Sequence, residues 1–315
     1  MNHTATESLV DQTATESLVN HTTTENPHEP DKDGESVNQT GTESLETHTA
    51  TENPHEPGKG RTLRYFLFCK GDILLTADGS VPSGESPPVA LKPWEKVTTL
   101  HVGDQDILVG ALSKPVAGRP GLQAIPLRKS FRILPAGDYQ LAGKCAELIY
   151  FHQNNLFCGT CGGQMQWQTD ISKQCRECGK ELWPSLATAV IVRVQRGDEI
   201  LLVHARTFRD RHYGLVAGFV ETGETLEECV RREVWEETRL CVGNIRYFAS
   251  QPWPYPCGLM VGFTADYISG ELRLQEEELS DGGWYGRGNL PFLPDPSSIA
   301  YRLIEDWLRQ TDKHF

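Results

Sequence analysis

The chain has 315 residues, 30 Lys and Arg against 43 Asp and Glu, a formal net charge of −13, 38% hydrophobic residues and nine Cys. Residues 1–60 hold twelve of the acids, only Lys32 and Lys59 as bases, and no Phe, Trp, Tyr, Ile or Cys, so the acidity belongs to that segment and the rest reads as a nearly neutral globular chain. No apolar run reaches the roughly 18 residues of a membrane span, Met1–Val10 lacks the basic start and apolar stretch of a signal peptide, and an odd number of Cys argues against a disulfide framework, so a cytoplasmic chain is expected.

From His3 to Glu56 the sequence runs as six nine-residue units, with Glu in fifth place in all but the fourth. A β-helix of nonapeptides would need apolar residues to stack and a Gly/Asp pattern, and neither is present. Residues 1–60 are therefore expected to be a disordered tail, because they cannot bury enough surface to offset the entropy of ordering. The sequons at Asn2, Asn20 and Asn38 read as products of Thr-rich repetition.

Residues 61–157 carry apolar runs at 63–69, 72–76 and 107–112 and end in a helical pattern with Leu141, Cys145, Leu148 and Ile149 on one face. That predicts a small α/β domain without a catalytic constellation of its own. Arg128-Lys129 could hold a phosphate, and by itself reads as a solvated basic pair.

Residues 158–185 contain Cys158-Gly-Thr-Cys161 and Cys175-Arg-Glu-Cys178. Two such knuckles place four thiolates tetrahedrally around one zinc ion, and with all four ligands from protein the site is closed and structural. Lys173, Arg176 and Lys180 are offset by Asp170, Glu177 and Glu181, so this ribbon has no basic stripe for tracking phosphates.

Residues 186–315 hold the chemistry. Alternating strands at 187–194 and 200–204 precede a helix beginning near Thr225, where about 100° per residue puts Leu226, Cys229 and Val230 on the same arc as Glu233, Glu236 and Glu237. Three carboxylates on an inward face repel one another and lose hydration, a cost that a divalent cation offsets, and oxygen ligands favour Mg²⁺ or Mn²⁺.

The spacing Gly218, five residues, Glu224, seven residues, Arg232-Glu233-Val234-Trp235-Glu236-Glu237-Thr238-Arg239-Leu240 resembles the Nudix box, departing from it only at Arg239, where the family has Gly. Ser250-Gln251-Pro252-Trp253-Pro254-Tyr255-Pro256-Cys257-Gly258 resembles the SQPWPFPxS loop of NADH pyrophosphatases of the NudC type, with Tyr255 for Phe and Gly258 for Ser. Three prolines stiffen this segment, and Trp253 and Tyr255 offer flat faces for a base or nicotinamide.

The resemblance runs from about Leu63 to the C-terminus and implies an α+β chain: an N-terminal Nudix-like α/β domain, a zinc ribbon and a C-terminal Nudix α/β/α sandwich. It implies that Glu233, Glu236, Glu237, Glu278 and the Ala217 carbonyl hold two or three Mg²⁺ or Mn²⁺ ions, beside one structural Zn²⁺ on the four Cys. Arg232 then pairs with Glu224 and orients the carboxylates, and Glu278 or Glu236 takes the proton from water. Substrate-facing residues would be Phe219, the signature residues from Gln251 through Gly258, Ala300, and Trp183, which reaches the substrate across a homodimer interface. The implied reaction is hydrolysis of NADH or NAD⁺ to nicotinamide mononucleotide and AMP, with NAD-cap removal from RNA as a related activity. A Nudix hydrolase of ADP-ribose or diadenosine polyphosphates, and a non-catalytic nucleotide sensor or nucleic-acid binder, are the alternatives.

Overall fold

The computed structural model describes residues 62–116, 118–208 and 211–310. The nonapeptide repeats lie outside the described residues.

Strands β1 (Leu63–Cys69) and β2 (Asp72–Thr76) pair antiparallel with Cys69 opposite Asp72, so Lys70-Gly71 is a two-residue turn. Both turn residues have positive φ, 51° and 89°, as the hairpin twist requires. With β3 (Ser83–Gly84), β4 (Lys96–Val102), β5 (Gln105–Ala111) and β6 (Leu122–Pro126) they build a sheet of order β4-β5-β1-β2-β6, with β3 on β1 and β1 parallel to β5. The short α1 (Leu127–Ser130) leads to α2 (Ala136–Asn154). Side chains alternate across β1: Phe66 and Phe68 pack with Ala142, Cys145 and Leu148 of α2, while Tyr65 and Leu67 pack with Val89 on the opposite face.

The two cysteine knuckles flank a three-stranded sheet of β7 (Met165–Trp167), β8 (Lys173–Cys175) and β9 (Glu181–Leu182). Trp167 Nε1 donates to the Val97 carbonyl at 2.7 Å. The fully buried Lys173 donates to the Asn155 carbonyl at 2.6 Å and the His152 carbonyl at 3.4 Å. A cation thus meets the negative end of α2, and the ribbon is anchored to the first sheet.

The second six-stranded sheet comprises β10 (Ala187–Arg196), β11 (Glu199–Ala205), β12 (Val216–Phe219), β13 (Cys241–Trp253), β14 (Gly258–Ser269) and β15 (Leu279–Gly286). Its order is β13-β14-β10-β11-β15 with β12 also on β10, and β10 and β14 run parallel. Helix α3 (Leu226–Thr238) covers one face and α4 (Ile299–Arg309) the other. Period-2 patterning makes this possible: Val190, Val192, Leu201 and Val203 meet α3, whereas Ile191, Ile200 and Leu202 meet α4. The described residues thus form a mixed α/β arrangement of two six-stranded sheets with few helices, as expected.

One detail differs from the sequence reading. Ser250–Trp253 is not loop: it ends β13, and only 254–257 turn back into β14. Of the five Cys outside the knuckles, Cys145, Cys229 and Cys257 are buried, Cys69 is partly so and Cys241 is exposed. Helix α3 still exits through a left-handed residue, with Arg239 at φ 60° and ψ 19°, where glycine would cost nothing. Among the described residues no helix is long and apolar enough to cross a membrane.

Candidate active site

Helix α3 starts at a capping box. The Thr225 hydroxyl accepts from the Glu228 amide at 3.2 Å, and the Glu228 carboxylate accepts from the Thr225 amide at 2.7 Å. The preceding Glu224 carboxylate accepts from the Glu221 amide at 2.7 Å and from two Arg232 nitrogens at 3.0 and 2.6 Å. Arg232 beside it holds this carboxyl down at about 2. The same guanidinium donates to Glu233 at 2.8 Å, Glu236 at 3.1 Å and the Phe219 carbonyl at 2.9 Å. Arg232 therefore ties the turn before α3, the end of β12 and two helix carboxylates into one unit.

Glu233 and Glu237 are buried, and Glu236 is half-exposed. Burial pushes Glu237 up to about 8, with further upward pressure from Glu233, Glu278 and Glu236. Burial also raises Glu233, against the lowering effect of Arg232. Glu278 thus belongs electrically to the α3 carboxylates although it arrives from the segment before β15. Arg206 holds that segment: its amide donates to the Glu278 carbonyl at 2.8 Å and its Nε to the Glu276 carbonyl. With Glu233 and Glu237 buried, and Glu233, Glu236 and Glu278 all pushing Glu237 up, these oxygen donors fit divalent cations.

The Cys158, Cys161, Cys175 and Cys178 ligand atoms all lie within 4.8 Å of one another, a donor set that fits a tetrahedral zinc ion. The Thr160 and Cys161 amides hold the Cys158 thiol down at about 6, toward the thiolate a metal requires.

Ala217, Trp253 and Ala300 share the wall of a cavity of about 1390 Å³, which none of Glu233, Glu236, Glu237 and Glu278 lines. Phe219, two residues beyond Ala217 on β12, is 65% exposed. Trp183 is 54% exposed, follows β9, and does not line this cavity.

The signature residues separate. Trp253 faces the cavity, but the Tyr255 ring packs against the core of the first sheet, and its hydroxyl meets that of Tyr139 at 2.7 Å. Pro254 is buried, Pro252 and Pro256 are exposed, and the Cys257 thiol donates to the Ser185 carbonyl at 3.2 Å. Gln251 accepts from the Ile299 amide at 2.7 Å and donates to the Ser297 carbonyl at 2.8 Å, which sets the start of α4 and hence Ala300. Gly258 is buried where a β-carbon would come within 3.1 Å of the Ala187 carbonyl.

Sequence reading missed one wall. Arg128, Lys129 and Arg132, contributed by α1 and the turn after it, line the cavity. Arg128 lies 5.1 Å from the centre of the Trp253 ring, and Arg132 pairs with Asp295. Taken as a solvated pair, Arg128-Lys129 instead gives the cavity its positive side. The only signal in the sequence was the adjacency of two cations.

A family model described as NUDIX domain matches residues 184–307. The chain is 37% identical over 235 residues to the NAD-capped RNA hydrolase NudC of Chromobacterium violaceum, an alignment covering 74% of this chain and 88% of that protein. It is 44% identical over 171 residues to the protein of the same name from Pectobacterium atrosepticum, covering 54% of this chain and 66% of that one. Among solved structures, a NUDIX hydrolase from Nitrosomonas europaea superposes with a TM-score of 0.40 at 24% identity, covering 50% of this chain and 92% of that one. The Nudix match over the second sheet, together with the near full-length alignment to the Chromobacterium protein, makes this chain a member of the NudC family of Nudix hydrolases.

Proposed function

We propose that the protein hydrolyses the pyrophosphate bond of NADH or NAD⁺, giving nicotinamide mononucleotide and AMP, and removes NAD caps from RNA. The observation that carries this reading is the cluster of Glu233, Glu237 and Glu278, with Glu237 pushed up to about 8, two of them on the helix that covers the sheet whose Ala217 and Trp253 line a cavity large enough for a dinucleotide. Two or three Mg²⁺ or Mn²⁺ ions on Glu233, Glu236, Glu237, Glu278 and the Ala217 carbonyl would neutralise the diphosphate and acidify water. Arg232 keeps Glu233 and Glu236 in place through its fork. Glu278 stands outside that fork and is the better proton acceptor of the two candidates. Trp253 presents an aromatic face to a base or nicotinamide, and Arg128 supplies positive charge above it. The four Cys hold one structural Zn²⁺.

In this reading residues 61–157, 158–185 and 186–315 act as substrate-side domain, ribbon and catalytic domain. The working unit is a cytoplasmic homodimer, with the partner's aromatic at position 183 completing the substrate site. The deciding experiment compares NADH, NAD⁺, ADP-ribose and NAD-capped RNA side by side with purified protein and Mn²⁺. Preference for NADH or NAD-capped RNA supports the reading, and equal or faster cleavage of ADP-ribose overturns it.

A further inference from the structure

Helix α2 carries Tyr139, Gly143 and Glu147 at intervals of four, so the three stand on one stripe. Each meets a different residue of the turn between β13 and β14. The Tyr139 and Tyr255 hydroxyls lie 2.7 Å apart. A β-carbon on Gly143 would come within 3.2 Å of the Pro254 ring, closer than most such contacts, so the bare helix backbone is what admits the proline. On the same stripe burial raises the Glu147 carboxyl against the lowering hydrogen bond of the Gly258 amide, and its Oε1 is buried without a hydrogen-bond partner. The turn residues are thus held from the first sheet's helix, across 116 residues of chain in the case of the tyrosines.

The residue just before this turn is Trp253, paired with Gly258 at the end of the β13–β14 ladder. We propose that Tyr139, Gly143 and Glu147 are positioning residues for dinucleotide binding, which hold the 254–258 turn so that the Trp253 ring faces the cavity beneath Arg128. This rests on the hydrolase reading above and deepens it: the first sheet's domain sets substrate affinity through the signature segment. It also gives Tyr255, which departs from the signature, a docking role. Its hydroxyl is satisfied by Tyr139 and does not reach the cavity wall.

A hydroxyl left alone at a part-buried site loses its partner, whereas removing both leaves an apolar contact of the same shape. That asymmetry supplies the test. In the full chain, Tyr139→Phe and Tyr255→Phe should each raise KM for NADH about threefold with kcat within twofold, and the double variant should return KM to within twofold of wild type. Gly143→Val should raise KM about tenfold and speed hydrogen exchange at the amides of Trp253, Tyr255, Cys257 and Gly258. Packing alone would lower the melting temperature of the single variants without moving KM. The inference is overturned if KM stays at the wild-type value in all variants, if the double variant is as impaired as the worse single, or if exchange at those amides is unchanged in Gly143→Val. Wild-type protein that neither binds nor cleaves NADH overturns the hydrolase reading itself, a failure distinguishable because it precedes any substitution.

Discussion

Gly218 and Glu233 compete for one volume: a β-carbon on residue 218 would overlap the Glu233 carboxyl group. The first glycine of the box is therefore needed for space and not for backbone freedom. Its absent side chain is the slot in which the Glu233 carboxylate sits. Gly218→Ala should displace Glu233 and lower Mn²⁺-dependent NADH turnover by about 100-fold, the loss expected for a catalytic group moved by an ångström. Steady-state kinetics decide, and turnover within threefold of wild type would refute the steric role.

Glu237→Gln should reduce AMP release below detection, because the deepest carboxylate of the cluster is lost. Stability should move the other way. Glu237 is buried among three other carboxylates, so a neutral amide relieves desolvation and repulsion. With divalent cations chelated, the variant should melt at or above the wild-type temperature, and a lower melting temperature would contradict the placement of Glu237.

Arg239 occupies the left-handed helix exit, a conformation costing a non-glycine residue about 1 kcal/mol. Its guanidinium lies 4.2 Å from the centre of the exposed Trp235 ring, an attraction of about 0.5–1 kcal/mol at such sites. Arg239→Gly removes both and should leave unfolding free energy within about 0.5 kcal/mol of wild type. Arg239→Val keeps the strain, loses the cation and should cost about 1–2 kcal/mol in denaturant titration.

Glu95 is buried and accepts from the Lys92 amide at 2.9 Å and the Ser113 amide at 2.8 Å. The Lys92 amide first, then Ser113, bring its carboxyl from the ordinary 4.5 down to about 2. A depressed folded value stabilises above the unfolded value, and that contribution fades as pH falls from about 4.5 toward 2. Glu95→Gln should therefore melt below wild type at pH 7, with the gap closing as pH falls from about 4.5 toward 2. A gap independent of pH would assign the effect to packing.

Stripping metal from the four-Cys ribbon should release about one zinc per chain and lower the melting temperature, since metal affinity in such a site is folding free energy. Because Trp167 and Lys173 tie the ribbon to the first sheet, the loss should extend to the α2 C-terminus and appear there as faster amide exchange. Faster exchange confined to the ribbon itself would show the two to be uncoupled.

Much of the site was legible because its information is local. Capping box, apolar arc and carboxylates of α3 all fall within the fifteen residues from Thr225 to Arg239, and a helix converts spacing directly into direction. The cysteine knuckles are equally self-contained. Glu278 was reachable only by counting within a family pattern, and its electrical contact with Glu237 depends on β11 and β15 being neighbours. The side-chain directions of the signature segment were not legible, since a strand end and a turn in proline-rich sequence can aim alternate residues either way.

Residue spacing alone determined that this chain carries a four-thiolate ribbon and a helix with carboxylates on its apolar arc, because each motif closes within about twenty residues. Tertiary structure alone decided what surrounds that chemistry. It set Arg128 against Trp253 and Tyr139 against Tyr255, made Gln251 the clamp on α4, and turned a basic pair into the wall of a cavity. Those relationships join elements more than a hundred residues apart or hinge on which face of a turn a side chain takes, and no local periodicity encodes either.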